Sequence, residues 1–589
     1  NPVFDGGGNY LYFTASTDSG PGAAWLDLSS FRAINSVAGV YCAVLRNDLP
    51  SPLAPESDEE KPKVAPKPED KKPFRIDLEG LDQRILTLPV PAKNYIGLAP
   101  GPPESVLLVD LAPLANIVSP PRATLSKFSF AGRTVTPLTS GLSGAAFTPG
   151  GDKVLVGWGG AYQIASTAAP FAPGSGMVDL SGMKGLVDPL AEWRQMFHEA
   201  IRVQRDFLYA PNYHGVDLAA LKARYEPFVK NLRTRADLNY LLEDMLGELC
   251  IGHMFIQGGD MPSVAGTPGG LLGADYRLEN GRYRFARVYN GENWNPNLRA
   301  PLTAPGINVK SGEYLLAING QDLGATDNVH QRLEMTANKQ VTLKVGPSPD
   351  GTGARDVVVV PVPDEAGLRL LAWREDNRRT VDKLSGGKLG YMHIPDTNIG
   401  GWINFNRYFY AQVGKDGLVV DERFNGGGQV DDFMVDLMAR PLRSMWTSRY
   451  GKDFPSPLGQ IYGPKVMIIN QYAGSGGDYF PWHFKKAKVG PVVGKRTWGG
   501  LVGILVFPTL IDGGAVTAPN LAFYNPDGTW DVENYGVDPD IDVEFDPALW
   551  RQGRDAQLER AVAEAMKLLQ TQPKPTIKKP AYPDKTKIK

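Results

Sequence analysis

The sequence predicts a multidomain α+β protein, because segments of different periodicity follow one another along its 589 residues. Short β-rich runs separated by glycine, proline and asparagine fill the part up to residue 180. Helical periodicity follows, then a second β-rich stretch, and finally two units of strand, glycine-rich loop and helix. A chain of this length is expected to form about three to five domains.

Composition excludes several function classes. The formal net charge is −2, with 42% hydrophobic and 21% charged residues, so no strong field would recruit nucleic acid or an acidic membrane. No run of eighteen apolar residues encodes a membrane span. Cys42 and Cys250 are too few for a disulfide framework and fit a reducing compartment. No metal motif, P-loop or dinucleotide fingerprint occurs, so neither a metal nor a cofactor is expected.

The chain begins at Asn1 and enters a strand-like run directly, with no Met or signal peptide before it. We interpret it as the remainder of a longer protein, so any targeting segment would belong to the missing part. That missing N-terminal part is then an expected partner of this chain.

Residues 1–180 are predicted to be all β. The FTPGGDKVLVGWGGAYQIAS segment resembles a propeller blade, so we expect the C-terminal blades of a β-propeller, with a β-sandwich as the alternative. Residues 47–73 are rich in Pro, Lys and Glu and predict a disordered insertion. The clearest strand-like runs are Asn9–Ala15, Gly39–Leu45, Arg84–Leu88 and Ser105–Val109.

Residues 181–262 predict a helical domain. Trp193, Phe197 and Ile201 fall on one helical face. A second helix is expected over Asp217–Val229. The sequence Thr234-Arg-Ala-Asp237 reads as a capping box that opens a third helix.

Residues 263–365 resemble a PDZ domain in their second half. A strand, an Asn319-Gly320 hairpin turn, a short helix and two closing strands are expected there. PDZ domains bind extended peptides by adding a strand, although a purely spacing role is an equal alternative here.

Residues 366–570 contain the two strand–glycine–helix units, GLVVDERFNGGGQVDDFMVDLMA and KVMIINQYAGSGGDYFPWHFKKA. They predict parallel strands with crossover helices. Residues 571–589 form a Lys- and Pro-rich tail that is expected to be flexible.

Ser475 is the candidate nucleophile of the second unit. It follows a strand in Ala473-Gly-Ser-Gly-Gly477 and precedes a helix, whose N-terminal N–H groups favour a developing oxyanion. A helix N-cap serine is the plain alternative. The glycines of Asn425-Gly-Gly-Gly428, after the other strand, leave N–H groups unobstructed and let a substrate backbone approach.

Four segments in order, RFNGGG, NQYAGSGGDYF, GKRTWGG and WDVENYGVDPDI, resemble the tricorn peptidases, which are relatives of the tail-specific peptidases. The resemblance covers the whole chain and implies a catalytic domain like that of ClpP and crotonases. It also implies cleavage of oligopeptides by a Ser-His pair supported by a further Ser and a Glu, and assembly into hexamers. By the same analogy the location is cytoplasmic, with export left open.

The resemblance assigns Ser475 as nucleophile, His253 as general base and Glu533 as the carboxylate of the network. It assigns Gly428 and Gly476 as the oxyanion-hole donors. Such a network is chemically consistent, because a neutral imidazole can take the serine proton while a carboxylate holds the polar groups in place.

His483 is the rival base, since it lies only eight residues after Ser475. The tail-specific relatives instead use a lysine about 25 residues after the serine, where this chain has Gly500. A histidine base is therefore expected.

Two departures from the family pattern are visible. Gly252 stands where the family has its auxiliary serine. Trp446 and Met445 stand where an Asp favours basic P1 side chains, so a non-basic P1 preference is expected. Gly426 and Gly427 are expected to contact the substrate backbone. A catalytically weak peptide-binding protein and a crotonase-type acyl-CoA enzyme are the alternative functions.

Overall fold

The computed structural model of the protein describes residues 2–16, 38–53, 74–111, 122–172, 174–505 and 508–586. The chain divides into two compact units, Asn1–Val187 and Asp188–Lys589. The strands of the first unit are β1 (Val3–Phe4), β2 (Tyr10–Ala15), β3 (Gly39–Val44), β4 (Ile85–Thr87), β5 (Asn94–Pro100), β6 (Ser105–Leu111), β7 (Ala123–Ser129), β8 (Thr134–Leu142), β9 (Gly144–Phe147), β10 (Lys153–Trp158) and β11 (Ala161–Ser166).

These strands form three antiparallel sheets in which sequence neighbours pair, in the orders β1-β2-β3-β4, β5-β6-β7-β8 and β11-β10-β9. Up-and-down sheets of this kind are what consecutive propeller blades contain. The four predicted strands are confirmed, each within two residues at either end. Of the predicted disordered insertion, residues 54–73 lie outside the described residues.

The second unit begins with helices α1 (Pro189–Phe207), α2 (Leu218–Val229) and α3 (Arg235–Gly247), followed by β12 (Ile256–Gln257). All three are confirmed predictions. Phe197 is fully buried, with Trp193 and Ile201 packed beside it in the same core. The capping box is present, since the Thr234 hydroxyl accepts the Asp237 N–H at 3.1 Å and the Asp237 carboxylate accepts the Thr234 N–H at 2.9 Å.

The PDZ-like part consists of β13 (Ala274–Glu279), β14 (Arg282–Val288), β15 (Tyr314–Ile318), β16 (Gln321–Asp322), α4 (Val329–Arg332), β17 (Val341–Gly346) and β18 (Arg355–Val359). Its strand order is β13-β14-β15-β17-β18, and β16 pairs with β15. Both turn residues have positive φ, 49° at Asn319 and 76° at Gly320, as the predicted hairpin turn requires.

The last part contains the strands and helices around the candidate site. They are α5 (Ala366–Leu384), β19 (Leu389–His393), α6 (Ile399–Ala411), β20 (Gly417–Asp421), α7 (Asp431–Ala439), β21 (Ser444–Trp446), β22 (Phe454–Ser456), β23 (Lys465–Ile469), α8 (Gly476–Lys486), β24 (Val492–Gly494), β25 (Val502–Leu505), β26 (Ala515–Val516), β27 (Ala518–Ala522), β28 (Ile541–Asp542), α9 (Pro547–Arg551) and α10 (Ala556–Thr571).

A parallel sheet in the order β19-β20-β23-β24-β28 positions the site. β20, β23 and β24 are fully buried along their length, which matches the continuous apolar runs in the sequence. Because β20 and β23 are parallel neighbours, the two glycine loops that follow them meet at one edge. β12 pairs with β26 and thereby joins the helical part to this region.

The predicted multidomain α+β class and its parallel catalytic sheet are confirmed. The exact domain boundaries stay predictions. Within the described ranges, every helix is too short or too polar to cross a membrane. The end of the predicted flexible tail, residues 587–589, lies outside these ranges.

Candidate active site

Ser475 occupies a sharp turn between β23 and α8. Its backbone has φ 57° and ψ −118°, a combination that is costly for any residue with a Cβ atom. The turn is held by the Ser475 N–H, which donates to the Gly500 carbonyl and to Asp478 Oδ2, both at 3.0 Å. A strained strand-to-helix turn of this kind is typical of serine nucleophiles.

Asp478 is the anchor of this turn, and the sequence analysis missed it. Its fully buried carboxylate accepts hydrogen bonds from the N–H groups of Ser475, Gly499 and Gly500 and from the Thr497 hydroxyl. The only sequence signal was its position three residues after the serine, as in a capping box. Its bonds to the 497–500 segment depend on the fold and left no local pattern.

The two glycine loops touch each other. A Cβ atom placed on Gly427 would lie 2.7 Å from the Cβ of Ser475, and one on Gly476 would lie 2.6 Å from the Gly428 nitrogen. Gly427 and Gly428 also have positive φ values of 87° and 141°. Across the described part of the chain, the amides of Gly428 and Gly476 donate no hydrogen bond. The two predicted oxyanion donors are therefore adjacent and free.

Thr397 sets the shape of the first glycine loop, a role that the sequence analysis did not detect. Its N–H donates to the Gly427 carbonyl at 2.9 Å, and its carbonyl accepts from Gln429 at 2.6 Å and from Val430 at 2.9 Å. Its buried hydroxyl has no hydrogen-bond partner among the described residues. The hydroxyl lies 2.1 Å from where a Cβ on Gly476 would be, so it faces the predicted oxyanion donors.

His253 lies in the loop that follows α3 and is 8% exposed. Thr517 fixes this loop, since its hydroxyl donates to the His253 carbonyl at 2.6 Å. Burial lowers the pKa of His253 below its ordinary value, so the ring is neutral at pH 7 and can act as a base. Its Nδ1 atom is buried and has no hydrogen-bond partner within the described chain.

Trp498 connects the histidine to the serine turn. Its ring lies 5.5 Å from the His253 ring, between centroids. A Cβ on Gly474 would lie 2.5 Å from this indole, and one on Gly500 would lie 2.3 Å from it. The indole thus occupies the space of a side chain at position 500, where the tail-specific relatives have their lysine.

Glu533 holds the histidine loop against the serine turn. Its carboxylate accepts the Gly252 N–H at 2.7 Å and the Leu501 N–H at 2.6 Å. Burial raises the pKa of Glu533, and the two amide donors oppose that rise. Within the described chain, none of its hydrogen bonds reaches His253. Glu533 therefore acts on the residue before the histidine, at the position of the missing auxiliary serine.

His483 is occupied elsewhere. Its Nδ1 atom lies 3.1 Å from Asp432 Oδ1 and 3.9 Å from Asp431 Oδ2. The nearby carboxylates of Asp431 and Asp432 raise the pKa of His483 to about 9, so it carries a proton at neutral pH. Eight residues of helix also separate it from Ser475 by about 12 Å. Both observations favour His253 over this rival.

The two residues predicted to read the P1 side chain lie on an exposed hairpin. Trp446 is 60% exposed and pairs with Phe454 of β22, next to Met445. None of the described hydrogen bonds or ring contacts of this hairpin reaches the glycine loops. The amides of Gly426 and Gly427 are already used, by the Pro395 carbonyl and Asn425 Oδ1, both at 2.9 Å. These two glycines can admit a substrate backbone but cannot donate to it.

Three family models match the second unit. The tricorn protease C1 domain matches residues 189–247, the tricorn protease PDZ domain 270–364 and peptidase family S41 residues 388–543.

The chain is similar over most of its length to known tricorn proteases. It is 36% identical over 85% of its length to tricorn protease homolog 1 of Streptomyces coelicolor, and 28% identical over 95% to the tricorn protease of Thermoplasma volcanium. These alignments span 48% and 54% of the relatives, so the chain covers about half their length. A crystal structure of the tricorn protease superposes with a TM-score of 0.84 at 27% identity, over 97% of this chain and 55% of that one. The chain belongs to the tricorn protease family.

Proposed function

We propose that this chain carries the catalytic site of a serine peptidase, with Ser475 as nucleophile. The observation that carries this proposal is the strained turn at Ser475, packed against Gly427 beside two free amide groups. A helix-capping serine would need neither the second glycine loop nor its unused N–H donors.

In the proposed mechanism, neutral His253 takes the hydroxyl proton of Ser475 as the serine oxygen attacks the peptide carbonyl carbon. The N–H groups of Gly428 and Gly476 stabilise the oxyanion. When the intermediate collapses, the C–N bond breaks, His253 gives the proton to the leaving amine and an acyl-enzyme remains. Water, deprotonated by His253, then releases the acid and regenerates Ser475.

Glu533, Asp478 and Trp498 are positioning residues in this mechanism. Glu533 holds the histidine loop through Gly252, and Asp478 holds the serine turn. Trp498 lies next to both the histidine ring and the glycines of the turn. A fixed geometry is worth several orders of magnitude in rate, because the reacting groups need no further ordering.

Substrate choice is proposed from the residues that replace the aspartate that favours basic P1 side chains in the family. Trp446 and Met445 favour an apolar or non-basic P1 side chain, and Gly426 and Gly427 lie beside the scissile bond. The substrates are oligopeptides or unfolded chains that reach the site through the propeller. The assembly is a homo-oligomer, a hexamer by family analogy, located in the cytoplasm.

The test is cleavage of a peptide-amide library together with labelling by a fluorophosphonate. The native chain should cleave and be labelled on Ser475, and Ser475→Ala should lose both, with turnover falling by about 10⁴-fold or more. Retained cleavage by the variant would refute the assignment. Peptide binding without turnover would indicate the weak peptide-binding alternative, and acyl-CoA turnover without labelling the crotonase-type alternative.

A further inference from the structure

A cavity of about 660 Å³ opens at the carboxyl edge of the parallel sheet, next to the serine turn. Its walls come from α5, from the loops after β20 and β23, and from the segment around α9. Most of the exposed wall is apolar. The large apolar side chains that line it are Leu370, Trp373, Phe424, Tyr472, Phe545 and Trp550.

Two of these aromatic residues are exposed in a way that core packing does not explain. Phe424 is 55% exposed although its backbone has a positive φ of 64°, which is costly for a phenylalanine. Its ring stacks on that of Tyr472, which is 66% exposed, at 5.6 Å between centroids. Trp373 meets Phe424 edge to face at 6.4 Å. An exposed aromatic wall on a strained backbone indicates a binding surface.

The polar groups at the base of the cavity are already paired. Arg423 is buried and forms ion pairs with Asp421 at 2.7 Å and Asp555 at 2.8 Å. His393 Nε2 lies 3.0 Å from the Arg423 carbonyl. Among the described residues that line the cavity, the guanidinium of Arg423 is already neutralised, so the chemistry of the cavity suits a large apolar or aromatic group.

Two loops that line the cavity, those after β20 and β23, also form the proposed catalytic site. Tyr472 precedes Ser475 by three residues, so their Cα atoms are at most about 11 Å apart. Phe424 precedes Gly427 by three residues, and Gly427 touches Ser475. An extended peptide advances about 3.3 Å per residue. A peptide held at Ser475 therefore reaches the cavity within about two to four residues.

We propose that this cavity is a substrate subsite that binds one large apolar or aromatic side chain, about two to four residues from the scissile bond. The inference rests on the proposed peptidase function and adds a second specificity element, separate from Trp446 and Met445. It predicts that a large apolar side chain at one peptide position other than P1 raises the affinity of the peptide for the chain, whatever the P1 residue is.

Binding to the inactive Ser475→Ala chain tests this without turnover. The probes are uncleaved octapeptides of one sequence in which a single Phe is moved along alanine positions, with titration calorimetry as the readout. Affinity should be highest, by about 10- to 100-fold, with Phe at one particular position, as burial of a large apolar side chain provides. Equal affinity across the series would overturn the proposal.

Cavity variants in the same background locate the binding. Trp373→Ala and Tyr472→Ala should each remove most of the preference, whereas Trp294→Ala, a highly exposed tryptophan of the PDZ-like part, should leave it intact. The use of two cavity variants guards against misfolding of one. If both variants fold and keep the preference, the cavity is not its source.

The peptidase assignment is tested separately, by fluorophosphonate labelling of the native chain. Labelling without a positional Phe preference would refute the subsite and leave the peptidase standing. A Phe preference without labelling or cleavage would refute the peptidase, and with it the role of the cavity as a substrate subsite.

Discussion

Gly252 and Glu533 are joined by a 2.7 Å hydrogen bond from the glycine N–H to the carboxylate, across 281 residues of sequence. A Cβ atom on Gly252 would lie 3.2 Å from Glu533 Oε1. In the next residue, the buried Nδ1 of His253 has no partner within the described chain. A hydroxyl group on the residue at position 252 could therefore form hydrogen bonds with both the Glu533 carboxylate and the unpaired His253 Nδ1.

Gly252→Ser should therefore raise kcat/KM, by about tenfold, the equivalent of one hydrogen bond of about 1.4 kcal/mol. Gly252 does not have a positive φ, so a side chain is compatible with its backbone. Gly252→Ala is the matched control, because it adds the same Cβ contact without the hydroxyl. Equal kcat/KM values for the serine and alanine variants would show that the hydroxyl makes no productive bond.

The choice of base is tested by a pair of substitutions. His253→Asn should lower kcat/KM by about 10³-fold or more, because general-base catalysis is lost. His483→Asn should change it less than tenfold, since that ring is engaged with Asp431 and Asp432 on α7. For each variant, the rate of peptide hydrolysis at dilute substrate gives kcat/KM, and the rate at saturating substrate gives kcat. The reverse ranking would make His483 the base.

The pH dependence of kcat/KM follows from the same assignment. The base must be unprotonated, so activity falls as the pH falls through the pKa of His253. Burial lowers that pKa from 6.5, so the acid limb should have its midpoint below pH 6.5. The rate of fluorophosphonate labelling should follow the same limb. A midpoint near 9 would instead match the pKa of His483.

Asp478→Asn should loosen the serine turn. The variant keeps the shape of the side chain, but its NH₂ group would face N–H donors that now bond to a carboxylate oxygen. Loss of one or two of these bonds should lower the free energy of unfolding by about 1–3 kcal/mol. Asp436→Asn, at an exposed carboxylate of α7, is the control. Urea denaturation measures both, and equal stability of the two variants would contradict the anchoring role.

The sequence was sufficient to predict the parts of the site that have local patterns. Ser475, Gly428 and Gly476 follow buried strands in glycine loops, and parallel pairing brings such loops together. Family resemblance added His253 and Glu533, but not the finding that the carboxylate binds the backbone at Gly252 rather than the imidazole.

The remaining parts depend on contacts that are distant in sequence. Thr397 acts through its backbone, so its residue type carried no signal. Trp498 was visible only as part of a family motif, because its role arises from packing on His253. The residues that line the aromatic cavity are scattered between Leu370 and Gln557, so they form no periodic pattern that could be recognised in the sequence.

The indole of Trp498 lies directly against Gly500. In Gly500→Ala the new methyl group would lie 2.3 Å from the present position of the indole, so the ring must move and lose its contact with His253. We expect kcat/KM to fall by about tenfold and the free energy of unfolding by about 1–3 kcal/mol, as overpacking does elsewhere. Gly247→Ala, at the end of α3 with open space around it, is the control and should be neutral or slightly stabilising. Because the indole and a side chain at position 500 compete for one volume, a lysine introduced there should also fail to replace His253. Activity restored to a His253→Asn chain by Gly500→Lys would show that the tryptophan does not exclude a lysine base.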